Sequence, residues 1–377
     1  MQFHLTDEQR MIRDLAHSFA EREIVPVAAA YDDEARFPMD IFHRARELGL
    51  LDLTVPEQFG GPGLGILEVA LVTEQLAWGC TGICGAIGLN SVSADALLVA
   101  GSEEQQREYL GRLRSGEFGC YCATEPGAGS DVAGLATRAE RHGNVYVLNG
   151  TKIWISNATV ASFAIVFAKT DPQAGHRGLT AFLVETSAAG LEIGRKLDKL
   201  GQRAAPAAEV NLVDVEVPLN RRLGGEGEGF LVAMQVFDRS RPMIAATAVG
   251  LVQRCLDESI GYATQRQTMG RPIIAHQAIG HKVADMAMRC EAARLLTYKA
   301  AWLHDAGERN TQAAAFAKAF AADTATWAAS EAVQIFGGMG YSTEFPVAKL
   351  YRDAKVLQIY EGTSEIQRNI IVRELTR

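Results

Sequence analysis

The sequence predicts an α+β chain of several domains: helical over residues 1–119, all-β over 120–227 and helical again over 228–377. Three observations carry this. Apolar residues recur every three or four positions at both ends of the chain. Between about 120 and 227 that period gives way to short alternating runs rich in β-branched and aromatic residues. The length of 377 residues, at roughly 100–200 per domain, leaves room for two or three domains.

The elements follow in order. Thr6 and Gln9 have capping-box spacing, so a helix opens near the N-terminus with no signal or transit peptide before it. Met11, Leu15 and Phe19 continue it at helical spacing. The loop "VPEQFGGPGLG" over 55–65 interrupts, and a second apolar set runs over 66–99. "VYVLNGTKIWIS" predicts two strands joined by an Asn149-Gly150 hairpin turn. "FAIVFAKT" and "LTAFLVET" predict further strands, and "AEVNLVDVEV" alternates like a half-buried one. "GGEGEGF" is the exit linker. Phe230, Met234, Phe237, Ile244, Ala248 and Leu251 restart the helical period, as do Ile279, Val283, Met286 and Cys290. An Ala-rich helix over 311–336 ends at Gly337-Gly338, and its small polar face suits a buried bundle or a subunit interface.

Composition excludes several functions. The net charge is −8 with both signs interspersed and no long basic run, so no nucleic-acid partner is expected. No charge-free apolar stretch long enough to span a membrane is read. The six cysteines form no C-x-x-C pair and no zinc spacing, so no metal is expected, and they read as core residues of a reducing compartment. The expectation is a soluble, cytoplasmic protein.

Four places carry chemistry. Arg241 falls on the apolar stripe of the helix from Phe230, where a buried guanidinium needs a partner; Asp238 lies three residues earlier. Pro242 removes an amide and frees the Asp238 carbonyl, which predicts a helix break beside a ligand site, although a purely structural Asp–Arg pair fits equally. "YCATEPGAGSDVAG" over 121–134 suits a loop that offers N–H groups to an anion, and is neither a dinucleotide fingerprint nor a P-loop. Trp154 and Ser156 alternate on one strand face and could meet a flat cofactor, or be core. In "IYEGTSEIQR", Glu361 precedes Gly362 and a capping box read at Ser364 and Gln367, so it lies in the turn entering a helix. Those ten residues alone fit an ordinary solvated turn acid.

Taken together, "YCATEPGAGSD", "KIWISN", "FDRSRP", "HQAIGHKVADMAM" and "VLQIYEGTSEIQRNI" resemble the acyl-CoA dehydrogenase family, closest to its medium-chain type, along essentially the whole chain. The resemblance implies an N-terminal helical domain, a central β-barrel domain and a C-terminal four-helix bundle. It implies FAD as cofactor, an acyl-CoA substrate, an electron-transfer flavoprotein as acceptor and a homotetramer. Glu361 matches the base that removes the α-proton while FAD accepts the β-hydride. Tyr121, Thr124, Ser130, Trp154, Ser156, Thr363 and Glu365 match positions along FAD. Arg266, Thr268, Gln277, Gln334 and Gly338 match positions that reach FAD from a partner subunit. Ser130, Asp238, Arg241 and the backbone of Gly362 match thioester contacts. Gly88 and Leu89 fall where the acyl pocket is lined; the one could deepen it and the other fill it, so chain length stays open. An oxidase that discharges to O2, a flavin-binding relative without dehydrogenase activity, and a decarboxylating or specialised biosynthetic dehydrogenase on the same fold are the alternatives.

Overall fold

The computed structural model describes residues 4–377. Helix α1 (Asp7–Phe19) opens at the expected capping box, with Gln9 N donating to Thr6 Oγ1 and Thr6 N donating to the Gln9 side chain. Its buried face differs from the expected stripe: Ala16 and Phe19 are buried, while Met11 and Leu15 face outward. The small residues Ala16 and Ala20 turn inward because the helix α4 (Ile66–Gly79) approaches closely there, with Gly79 against Ala20. Helices α2 (Ala28–Glu34), α3 (Met39–Glu47), α5 (Thr81–Gly88), α6 (Asn90–Ala100) and α7 (Glu103–Ser115) complete this region.

Thr81–Ala100, which carries Asp95, is by length and composition apolar enough to cross a membrane. Most of it is buried inside this fold, in α5 and α6, so its apolarity is accounted for by packing.

The middle of the chain is one sheet. Its strands are β1 (Gly119–Cys122), β2 (Arg138–His142), β3 (Val145–Ser156), β4 (Phe163–Lys169), β5 (Leu179–Glu185), β6 (Leu191–Lys196), β7 (Ala207–Pro218) and β8 (Arg222–Leu223). The order is β6-β7-β3-β2-β4-β5-β8, with β1 added in parallel to β4. The terminal strands β6 and β8 do not pair, so the barrel is open.

Asn149-Gly150 is not the hairpin turn. β3 runs straight through it, and the register slips between Leu148 and Gly150. Gly150 sits in a bulge with φ 158°, where an added Cβ would lie 2.4 Å from Thr137 Oγ1. Asn149 pairs with Asp214, donating to its carboxylate at 3.0 Å and accepting from its amide at 2.9 Å. The turn lies earlier, at Gly143-Asn144, where Gly143 takes φ 62°.

Helix α8 (Gly229–Gln265) is followed by a two-stranded hairpin, β9 (Gln267–Thr268) and β10 (Arg271–Pro272). Then come α9 (Gln277–Asp305), α10 (Thr311–Phe336), α11 (Pro346–Ala354) and α12 (Ser364–Leu375). α10 packs on α8, α9 and α12 as a four-helix bundle, and α4 lies across α8. The α4–α8 crossing is tight at Gly250, where a Cβ would meet the Glu74 carbonyl oxygen at 2.2 Å. Asp305 ties the two helical regions together by accepting from the amides of Ile66 and Leu67 at 2.8 and 2.9 Å, at the start of α4.

Pro242 does not break α8, which continues for 37 residues. The carbonyl it frees, that of Asp238, accepts instead from Asn310 Nδ2 at 3.0 Å. A side chain from the α9–α10 connection thus replaces the lost backbone bond.

Candidate active site

Glu361 ends a short connection after α11 and takes a left-handed backbone, φ 54°, followed by Gly362 at φ 87°. Two buried side chains fix that turn. Lys318 Nζ, from α10, donates to the Gly362 carbonyl at 2.5 Å. Gln367 Nε2, from α12, donates to the carbonyls of Glu361 and Gly362, each at 3.1 Å. Gln367 is therefore unavailable for the expected capping box with Ser364. Thr363 caps α12 instead, its Oγ1 accepting from Ile366 N at 3.2 Å, while Ser364 Oγ donates to Asp323 at 2.9 Å.

The Glu361 carboxylate accepts from Ser240 Oγ at 2.9 Å. Burial of the carboxyl pushes its pKa above the ordinary glutamate value; Ser240, Arg241 and Lys318 pull it back without cancelling the rise. Lys318 shows the converse effect. Burial lowers its pKa to about 8, opposed by the negative charge of Glu361.

Arg241 is 3% exposed, and its Nη1 donates to Asp238 Oδ1 at 2.9 Å. Asp238 Oδ2 accepts from Thr311 Oγ1 at 2.7 Å. Arg241 Nε is buried without a partner among the described residues, so the guanidinium keeps a free donor near Glu361. Arg241→Ala should lower stability by about 3 kcal/mol and, on the role the sequence resemblance implies, raise KM for the thioester. Unchanged urea unfolding and unchanged KM would make the pair incidental.

Tyr121 packs between Phe167 and Phe237, ring centroids 5.0 and 6.2 Å away. Its buried hydroxyl has no partner among the described residues, and burial together with the nearby Glu361 charge pushes its pKa up. The loop after Tyr121 carries Thr124, whose carbonyl accepts from Ile153 N of β3 at 3.0 Å. Glu125 anchors it: Lys152 Nζ donates to Glu125 at 2.7 Å and to the Phe167 carbonyl at 2.6 Å. The amides of Ala136 and Thr137 donate to the same carboxylate at 2.5 and 3.0 Å. Ser130 lies exposed farther along the loop.

Trp154 is 54% exposed, not core, and a second register slip in β3, with φ 62° at Trp154, turns its indole outward. Ser156 is half-buried beyond Ile155, whose side chain points inward. An exposed indole, a neighbouring hydroxyl and the unpartnered Tyr121 hydroxyl on an adjoining strand fit the flat, hydrogen-bonding FAD that the sequence resemblance implies.

The remaining positions lie elsewhere. Thr363 and Glu365 stay at the start of α12. Arg266 and Thr268 follow α8, Gln277 begins α9, and Gln334 and Gly338 flank the end of α10. All five are exposed, and none is hydrogen-bonded to the Glu361 group. Tyr262 stacks on Phe336 at 4.1 Å and holds the ends of α8 and α10 together, so Arg266 and Gln334 share a neighbourhood.

The site roles of five residues escape the sequence reading: Ser240, Lys318, Gln367, Glu125 and Lys152. Two carried a visible signal. Lys318 is a lone cation in the Ala-rich 311–336 helix, and Lys152 occupies an inward position of β3. A cavity adjoins Ser240 and Tyr360, walled by α4, α5, α6 and α8, and Gly88 and Leu89 both line it. Among the described residues, no cluster of three or more His, Cys, Asp or Glu side chains is placed to hold a metal.

Three family models match in sequence: the acyl-CoA dehydrogenase N-terminal domain over residues 6–117, the middle domain over 120–215 and the C-terminal domain over 227–376. The chain is 42% identical to the short-chain specific acyl-CoA dehydrogenase, mitochondrial, of Rattus norvegicus, over 99% of this chain and 91% of that one. It superposes on butyryl-CoA dehydrogenase from Megasphaera elsdenii with a TM-score of 0.98 at 39% identity, covering all of both chains. A chain from a structure of the electron transferring flavoprotein of Acidaminococcus fermentans gives 0.98 at 38%, also covering both in full.

Proposed function

The chain belongs to the acyl-CoA dehydrogenase family, and from that premise we propose that Glu361 is the base of an α,β-dehydrogenation that converts an acyl-CoA to the trans-2-enoyl-CoA. The protein is an FAD-dependent oxidoreductase of acyl-CoA thioesters. The observation that carries the role of Glu361 is a buried carboxyl with a raised pKa, hydrogen-bonded to Ser240, which lines the cavity.

In this reading Glu361 leaves Ser240 and takes the α-proton onto its carboxylate. Lys318 and Gln367 hold the carbonyls on either side, so the base turns on a fixed backbone. The Gly362 amide stabilises negative charge developing on the thioester oxygen, and Ser130, Asp238 and Arg241 orient the thioester. FAD, when bound, supplies the hydride acceptor for the β-carbon. Tyr121, Thr124, Ser130, Trp154, Ser156, Thr363 and Glu365 hold it from this chain. Arg266, Thr268, Gln277, Gln334 and Gly338 hold it from across a subunit interface in a homotetramer; their exposure supports that part.

An electron-transfer flavoprotein is the proposed acceptor, supported by the likeness to a chain from such a structure. A cytoplasmic setting is supported by six free, buried cysteines.

The purified protein is expected to be yellow, with about one FAD per chain, and an acyl-CoA is expected to bleach it anaerobically. Electron-transfer flavoprotein should restore the colour faster than O2 does. Colourless protein that cannot be reconstituted with FAD refutes the reading, and rapid peroxide release instead supports an oxidase.

A further inference from the structure

The cavity beside Ser240 is mostly apolar, with Val72, Leu76 and Ile87 among its walls. It is small, about 60 Å³, and a water-sized group needs roughly 10–15 Å³ of such space. About four to six such groups fit, which is the tail of a short acyl chain.

Its polar lining is unexpected for a plain alkyl tail. Asp95 of α6 and Arg239 of α8 form an ion pair in the wall, Nε donating to Oδ1 at 2.7 Å. Asp95 is 4% exposed, and among the described residues no donor is hydrogen-bonded to its Oδ2. Arg239 Nη1 lies 3.3 Å from His304 Nε2 and also lines a separate cleft with Gln235 and His304. Asp52, 8% exposed, is in the same lining, and its Oδ2 is buried without a partner among the described residues. Desolvating an ion pair beside a hydrocarbon chain is costly and gains the chain nothing. Two buried carboxylates with acceptor capacity to spare call for a donor.

We propose that this cavity takes a short acyl group bearing a hydroxyl beyond the β-carbon, with the Asp95–Arg239 pair as the specificity determinant that reads it. Asp95 accepts from the hydroxyl while Arg239 holds the carboxylate in place. This rests on the dehydrogenase reading above but goes beyond it.

The test is anaerobic flavin reduction of the holoenzyme with butyryl-, hexanoyl- and octanoyl-CoA and with 4-hydroxybutyryl- and 6-hydroxyhexanoyl-CoA. At least one hydroxylated thioester should exceed its plain partner of equal length by about tenfold or more in kcat/KM, because an analogue that leaves a polar group unpaired is rejected. Asp95→Asn keeps the shape and should erase most of that ratio. If Asp95→Asn loses flavin or folds poorly, the double variant Asp95→Leu/Arg239→Leu removes both charges together and should reverse the preference toward plain chains. Equal or better turnover of the plain chains by the unaltered enzyme overturns the proposal while leaving the dehydrogenase reading intact. Failure of every thioester to bleach the flavin overturns both.

Discussion

Glu361→Gln should bind FAD and acyl-CoA as the unaltered enzyme does and reduce its flavin at least about 10²–10⁴-fold more slowly. The amide keeps the size of the carboxylate, and its carbonyl oxygen can still accept from Ser240, so the turn at φ 54° is undisturbed. What is lost is the proton acceptor. Rapid mixing with butyryl-CoA reads the effect directly, and flavin bleaching at the normal rate would return Glu361 to an ordinary turn acid. The pH dependence follows from the upward shift. Only the ionised base works, so the rate in the unaltered enzyme should fall as pH drops through a pKa higher than an ordinary glutamate's. Stability runs the other way. A carboxyl whose folded pKa is raised favours the native state below its unfolded pKa and loses that contribution as pH rises through the folded value. The Gln variant escapes that loss, so it should resist unfolding at neutral pH at least as well as its parent.

Lys152→Met should destabilise the protein by about 3–5 kcal/mol and loosen its hold on FAD. Lys152 is fully buried, and its removal strands Glu125, 6% exposed, with only two amide donors. Glu125 holds the loop that carries Thr124 and Ser130, so flavin retention is the readout that a purely structural residue elsewhere would not move. Burial pushes the Glu125 pKa up, but Lys152, Thr137 and Ala136 outweigh it and hold the carboxyl below its ordinary range. The stability from this clamp is therefore present above the unfolded carboxylate pKa and fades as pH falls through the lowered folded one. Lys152→Met/Glu125→Gln should recover most of the loss in urea unfolding, because the neutral amide still accepts a backbone N–H. A single variant as stable as its parent, with full flavin, would show the pair to be dispensable.

Much of this was legible in the residues, for identifiable reasons. The return of the helical period at Phe230, the capping box at Thr6 and Gln9, and the buried Arg241–Asp238 pair are local signals that tertiary contacts left standing. Where the reading failed, a distant partner had intervened. Asn149-Gly150 is a turn dipeptide by propensity, but Asp214 of β7 keeps β3 extended through it. Pro242 should interrupt a helix, but Asn310, 72 positions beyond Asp238, accepts the task of satisfying the freed carbonyl. Gln367 has capping spacing from Ser364 but is drawn back to the carbonyls at Glu361 and Gly362. Ser240 could not be placed from the sequence at all, since its meeting with Glu361 joins residues 121 positions apart.

The pinning of the Glu361–Gly362 carbonyls by Lys318 and Gln367 also confines how the base can move. With the main chain held, the base travels between Ser240 and the substrate by side-chain torsions alone. Exposed side chains make such rotamer changes in picoseconds to nanoseconds. The Glu361 carboxyl is buried, so each swing also needs the close-packed side chains around it to make room. The freedom of the base is set by the packing around its side chain, not by its backbone.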